Sequence, residues 1–179
     1  RGGADAVLVA STHGSAPEYD GKTVSQLSVC LGLTPAETVA HILARCSGTV
    51  SAIYFSMSQE DVHTIMCDMH VAIGSDGSAF SLQDTQGLPS PHPRNIATFP
   101  RFLQTVREHR LMSLQDAVYK MTALPAAILG LRDRGTLEPG KAADITVFDY
   151  ESVCDQCTFT DSLVAPSGIE HVLVSGVFS

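Results

Sequence analysis

The chain reads as an α/β protein, and three observations predict it. The run Val71-Ala72-Ile73-Gly74 is short, apolar and stopped by glycine, with Asp76 just past its end. That is how a buried strand delivers a carboxylate to its C-terminal edge. An earlier apolar run at 50–55 and a helical pattern opening at Ser58 make strand, helix and strand with short connections. Beyond Gly135 the character changes: turn residues separate two further strand-like runs, at 143–148 and 169–174.

Composition bounds the class. The 179 residues are 44% hydrophobic and 17% charged, the balance of a soluble globular chain. Formal net charge is -8 and the few Lys and Arg are scattered, which argues against nucleic acid or an anionic membrane as partner. Arg101, Arg107 and Arg110 alternate with apolar positions and read as a solvated helix face. No apolar run approaches the roughly 18 residues of a membrane span. The chain opens Arg1-Gly2-Gly3 without Met and stops at Ser179 after a strand-like run, so a piece of a longer protein, cut at both ends, is expected. Five cysteines, an odd number, make no disulfide framework and suit a reducing, cytoplasmic compartment. Cys154-x-x-Cys157 has no second ligand pair nearby and reads as a loop with two free thiols rather than a zinc site.

The elements follow in order. Residues 5–11 form a short strand, and a polar loop runs through Gly21. Thr34-Pro35-Ala36-Glu37 starts a helix: Thr34 caps it, Pro35 suits its first turn and Glu37 closes a capping box. Val39, Ala40 and Leu43 share one face, Gly48 ends the helix, and 50–55 is a strand. Ser58-Gln59-Glu60-Asp61 opens the next helix, with Asp61 in the reciprocal capping position and Val62, Ile65 and Met66 on its buried side. With the strand at 71–74 this is a βαβ unit, whose strands are expected to be parallel and buried on both faces. The ends carrying Tyr54 and Asp76 then point the same way, toward the edge where α/β sheets bind ligands.

Residues 81–95 read as a long loop with Gly87, Pro89, Pro91 and Pro93, of the kind that serves as a lid or binding loop. Phe99, Phe102, Leu103 and Val106 define an amphipathic helix capped by Thr98. Ser113 caps another, with Leu114, Ala117, Val118 and Met121 on one face. Pro125 begins a short helix that ends near Gly130, and Gly176 marks a hairpin or one more strand. A domain boundary falls near Leu131. Two βα units cannot close a barrel of eight, which needs on the order of 250 residues, so the chain is expected to hold its last quarter.

Asp76 carries the functional question. Asp-Gly is a common turn pair, and Asp76-Gly77 can be no more than that. A buried parallel strand makes a tight hairpin unexpected there, and an acid at that edge would be partly desolvated and suited to proton transfer or metal contact. Residue types and spacing leave both readings open. Arg94 alone reads as a loop arginine, and Tyr54 as a half-buried strand tyrosine with its hydroxyl in a hydrogen bond.

Several segments resemble the C-terminal half of N-acyl-D-amino-acid deacylases, the D-aminoacylases of the metal-dependent amidohydrolase superfamily. They are Ser51-Ala52-Ile53-Tyr54-Phe55, Gly74-Ser75-Asp76-Gly77, His92-Pro93-Arg94, Thr98-Phe99-Pro100-Arg101 and Lys120-Met121-Thr122-Ala123-Leu124-Pro125-Ala126. Gly130-Leu131-Arg132-Asp133-Arg134-Gly135 and Pro139-Gly140-Lys141-Ala142-Ala143-Asp144 complete the set. The last is shared across the superfamily; the His-Pro-Arg and Thr-Phe-Pro-Arg pair is more specific. The loop between Gly77 and His92 is longer than expected for bacterial members, which bears on substrate preference.

The resemblance implies the last two βα units of a TIM-like amidohydrolase barrel over 1–131, with part of an insert in 1–48, and part of a small β-sandwich domain over 132–179. It implies hydrolysis of the amide bond of N-acyl-D-amino acids with one or two zinc ions. Asp76 would be the general base and then acid, and the metal contact within this chain. Arg94 would hold the substrate's α-carboxylate with help from Tyr54, and His92 would position the loop. A guanidinium fork suits a carboxylate bidentately. The seven His, at 13, 41, 63, 70, 92, 109 and 171, include no His-x-His pair. His41, His63 and His109 read as helix-surface residues and His171 lies in the β-domain, so the other zinc ligands are expected upstream of this chain. Two alternatives are a cyclic-amide hydrolase of the hydantoinase or dihydroorotase type and a metal-free scaffold. The isolated chain is expected to be inactive.

Overall fold

Val7 to Ser11 form strand β1, which pairs antiparallel with β2 (Ser51–Tyr54), Val7 opposite Tyr54 and Val9 opposite Ala52. The computed structural model that shows this describes residues 2–78 and 91–179. The described residues divide into two compact units, one of 2–58, 91–92 and 158–162, the other of 59–78, 93–157 and 163–179.

In the first unit two helices fill the connection between β1 and β2. Helix α1 (Val24–Leu31) begins at a Thr23/Gln26 capping box and ends at Gly32; α2 (Pro35–Arg45) begins at the expected Thr34/Glu37 box with Pro35 in its first turn. Their apolar faces meet β1 in a core of Val9, Ala16, Tyr19, Leu27, Ile42 and Cys46. Ser28 and Thr38, both buried, join the helices by a 3.0 Å hydroxyl bond, and Ser28 also donates to the Val24 carbonyl. Satisfying both hydroxyls removes most of the penalty for burying them. Helix α1 was not foreseen, although Thr23-Val24-Ser25-Gln26 carries its start signal. The strand expected at 5–11 is shorter, because Gly3–Ala6 form a 3-10 turn ahead of β1.

The second unit starts with α3 (Gln59–Cys67) and an irregular stretch at 68–78. Helices α4 (Arg94–His109), α5 (Leu114–Met121) and α6 (Ala123–Leu129) follow, then an antiparallel meander of β3 (Ile145–Phe148), β4 (Ile169–Val174) and β5 (Val177–Phe178). The β4–β5 turn places Ser175 and Gly176 both at positive φ, 51° and 81°, as a two-residue type I′ hairpin requires. Phe102, Leu103, Val106, Ala117 and Val153 form the core, with Met66, Ile73, Met112, Leu114 and Phe148 packed against it.

Four expectations need correction. The run 71–74 belongs to no strand, and β2 pairs antiparallel with β1, so the parallel βαβ pair is absent among the described residues. The backbone of the run is held by other means: Val71 donates to the Asp68 carbonyl and Ile73 to that of Lys120. The apolar side of α3 is only partly covered, with Ile65 54% exposed. Helix α4 starts at Arg94, ahead of the expected Thr98 cap; Pro93 sits at φ −51°, already near helical values, and the Thr98 hydroxyl donates back to the Arg94 carbonyl. The arginine face is not simply solvated. Arg107 donates to the carbonyls of Tyr150 and Val153, and Arg101 pairs at 3.3 Å with Asp155, whose side chain is 4% exposed.

The expected loop 81–95 lies outside the described residues from 81 to 90, and its last two residues, Arg94 and Asn95, are helical. Cys154 and Cys157 carry free thiols, directed to Gln104 Oε1 and the Val164 carbonyl. Among the described residues no single helix is long and apolar enough to cross a membrane.

Candidate active site

The site grows from the irregular stretch 68–78. Asp68 begins it with a local turn: its carboxylate accepts from the backbone N–H and the ring Nδ1 of His70. Those bonds, the backbone one first, hold the Asp68 carboxyl below the ordinary carboxylate range. Ile73 then inserts its side chain against the core while its N–H bonds to the Lys120 carbonyl at 3.0 Å. Past Gly74 the chain turns. Asp76 adopts the left-handed conformation at φ 49°, and the Gly77 N–H donates to Ser75 Oγ at 3.2 Å. Non-glycine residues in that region are uncommon, though Asp tolerates it better than most, and such conformations gather at functional sites.

The start of α4 closes the site. Ser78 N–H donates to Asn95 Oδ1 at 2.7 Å, and Gly77 passes so close to Asn95 that a Cβ at position 77 would stand 2.7 Å from Oδ1 and 2.9 Å from Cα. Only glycine allows that approach. The contact brings the Asp76 carboxylate to Arg94: Oδ2 lies 3.1 Å from Nη1. The Asp76 side chain is 89% exposed and that of Arg94 46%, so the partial desolvation expected of Asp76 does not occur in this chain. Asp76-Gly77 links no pair of strands among the described residues, and its left-handed φ and the Gly77–Ser75 bond are those of a local turn.

Of the four residues singled out in the sequence, Asp76 and Arg94 are therefore brought together. Tyr54 and His92 belong to the other unit. Tyr54 ends β2 with its side chain largely exposed, and His92 packs edge-on against Phe159 at 5.5 Å. His63 and His109, expected as helix-surface residues, lie on α3 and α4 with their rings 4.6 Å apart and tilted by 53°, with the Gln59 amide near both.

Two residues of the site were missed. Asn95 had no signal in the sequence. Lys120 had one: it lies three positions after Ala117, on the stripe that α5 buries, where a lysine is out of place. It is fully buried, and its Nζ donates to the Asp68 carbonyl.

Among the described residues no three His, Cys, Asp or Glu side chains gather as a metal site would require. Asp76 offers one hard oxygen donor and nothing more; a zinc ion of ordinary tetrahedral kind needs further ligands from elsewhere.

A mixed α/β chain with a carboxylate and a guanidinium at one exposed turn is matched by an amidohydrolase family model over residues 65–179. The chain belongs to the amidohydrolase family. It is 40% identical over 161 residues to the N-acyl-D-aspartate deacylase of Alcaligenes xylosoxydans xylosoxydans, covering 89% of this chain and 30% of that protein. It is 41% identical over 164 residues to the N-acyl-D-glutamate deacylase of the same organism, with the same coverage. The crystal structure of N-acyl-D-glutamate deacylase from Bordetella bronchiseptica, complexed with zinc and a phosphonate inhibitor, superposes with TM-score 0.81 at 35% identity, over 98% of this chain and 35% of that one. The resemblance to D-amino-acid deacylases read from the sequence is thereby borne out. The chain spans about a third of the length of these relatives.

Proposed function

We propose that this chain is the part of a zinc-dependent N-acyl-D-amino-acid deacylase that carries the proton-transfer carboxylate and the arginine for the substrate's α-carboxylate. The observation that carries the reading is the 3.1 Å pairing of Asp76 with Arg94 at the end of the 68–78 stretch. Residues 1–131 would then belong to the last two βα units of a TIM-like barrel, with part of an insert in 1–48, and 132–179 to a small β-sandwich domain. The antiparallel β3–β5 meander supports the second assignment.

The Asp76 carboxylate accepts a proton from the attacking water and returns it to the departing nitrogen, so that the C–N bond breaks to give a carboxylate and a free amine. Bound zinc supplies the Lewis acidity that makes water nucleophilic at neutral pH. Among the described residues Asp76 would be the one that contacts the metal, and the other ligands would come from outside them. Arg94, first residue of α4, turns from Asp76 to the α-carboxylate of the substrate, which its planar fork can grip with two hydrogen bonds.

The substrate class follows the named relatives: N-acyl-D-amino acids, acidic ones first. In the intact zinc-loaded protein we expect release of free amine from N-acetyl-D-glutamate, N-acetyl-D-aspartate or N-acetyl-D-methionine, with the L forms untouched. Hydrolysis of hydantoin or dihydroorotate in preference to all three would overturn the substrate class. No turnover of any amide by zinc-loaded protein would overturn the enzymatic reading.

A further inference from the structure

We infer that Lys120 is a positioning residue for Asp76, acting by fixing residues 68 and 73 at the two ends of the segment that leads to the carboxylate. The inference rests on the proposed role of Asp76. Lys120 is the largest polar side chain fully buried among the described residues, and it lies on α5 between Ala117 and Met121. An ammonium group withdrawn from water is costly unless it is well partnered. A core position filled this way would be better served by Met or Leu if packing were the only requirement.

The partners Lys120 takes are both on one segment. Its Nζ donates to the carbonyl of Asp68, just after α3 ends, and its own backbone carbonyl accepts the N–H of Ile73, three residues before Asp76. One residue thus fixes the two ends of 68–73 to the face of α5. Downstream, Ser78 is tied to Asn95. Asp76 is held at its left-handed φ between the Lys120 clamp on one side and the Asn95 anchor on the other.

Loss of the side-chain bond frees the Asp68 end, while the backbone bond between Ile73 and position 120 remains, and lets Asp76 move relative to Arg94 and to substrate. A shift on the order of 1 Å at a proton-transfer group can cost about 100-fold in rate. The test is Lys120→Met in the intact zinc-loaded enzyme, beside Asp76→Asn. We expect K120M to lower kcat tenfold or more, to leave KM within about twofold, and to shift the acid limb of the kcat–pH profile, with zinc content and thermal midpoint near wild type. A wild-type kcat and pH profile in folded K120M overturns the inference, as does an equal loss in kcat and stability with no change in the pH profile. If K120M does not fold, K120Q, which keeps a donor and loses the charge, is read the same way. If neither folds, Lys120 is a scaffold residue and the inference is overturned. The underlying reading fails separately: if Asp76→Asn keeps turnover, Asp76 is not the proton-transfer group, whatever K120M does.

Discussion

The Asp76 carboxylate lies 3.1 Å from the guanidinium of Arg94, so the proposed proton carrier and the proposed substrate anchor are partners before substrate arrives. Both side chains are substantially exposed, and an ion pair of that kind contributes only about 0–1 kcal/mol. An incoming α-carboxylate can therefore take over Arg94 at little cost. The exchange would free Asp76 for the water as substrate binds, coupling recognition to the chemistry.

Arg94→Met removes the anchor and leaves the carboxylate that moves the proton. Charge-assisted hydrogen bonds contribute about 1.5–3 kcal/mol, so KM for an N-acyl-D-amino acid should rise roughly 10- to 150-fold with a smaller change in kcat. Arg94→Lys should recover only part of the loss, because an ammonium cannot form the two-pronged bond. Steady-state kinetics on both variants checks this. An unchanged KM in R94M would remove Arg94 from the binding site.

Phe102 is buried at the centre of the second core, against Leu103, Val106 and Val153. Phe102→Ala should cost about 3–5 kcal/mol through lost burial and the cavity left behind. Urea unfolding of the intact protein measures it. The loss should appear as a lower midpoint, since α4 carries both this core and Arg94.

Much of this architecture is legible in the sequence for local reasons. Thr34 with Glu37 and Ser113 with Asp116 are complete cap signals within four residues, and Ser175-Gly176 can form the hairpin turn without help from the rest of the chain. The errors arise where distant partners decide. The run 71–74 has the composition of a strand, yet its backbone is claimed by Asp68 and by Lys120 on α5. Arg107 looks solvent-facing by periodicity and is captured by carbonyls more than forty positions away. The pairing of Asp76 with Arg94 has the same character. Neither residue signals the other, and family likeness, rather than spacing, suggested their roles.

Acid should loosen two identified turns. The Ser152 hydroxyl and the Glu151 N–H hold the Asp149 carboxyl below its ordinary value of 3.8, and His70 does the same for Asp68. A carboxylate whose folded pKa is depressed contributes stability above its unfolded pKa, and that contribution is lost as pH falls through the folded value. Both turns should keep full protection at neutral pH and lose it below about pH 4. Amide exchange over 68–73 and 149–153 as a function of pH reports it. Protection that rises on acidification would contradict the assignment.

The central claim is that Asp76 moves the proton, and Asp76→Asn in the intact zinc-loaded enzyme tests it most directly. The amide keeps the size and the turn but cannot accept the proton from water. We expect kcat for an N-acyl-D-amino acid to fall about 100- to 10,000-fold, the usual contribution of a positioned acid–base group, while bound zinc stays near the wild-type level. Turnover within a fewfold of wild type at full zinc occupancy would contradict the account.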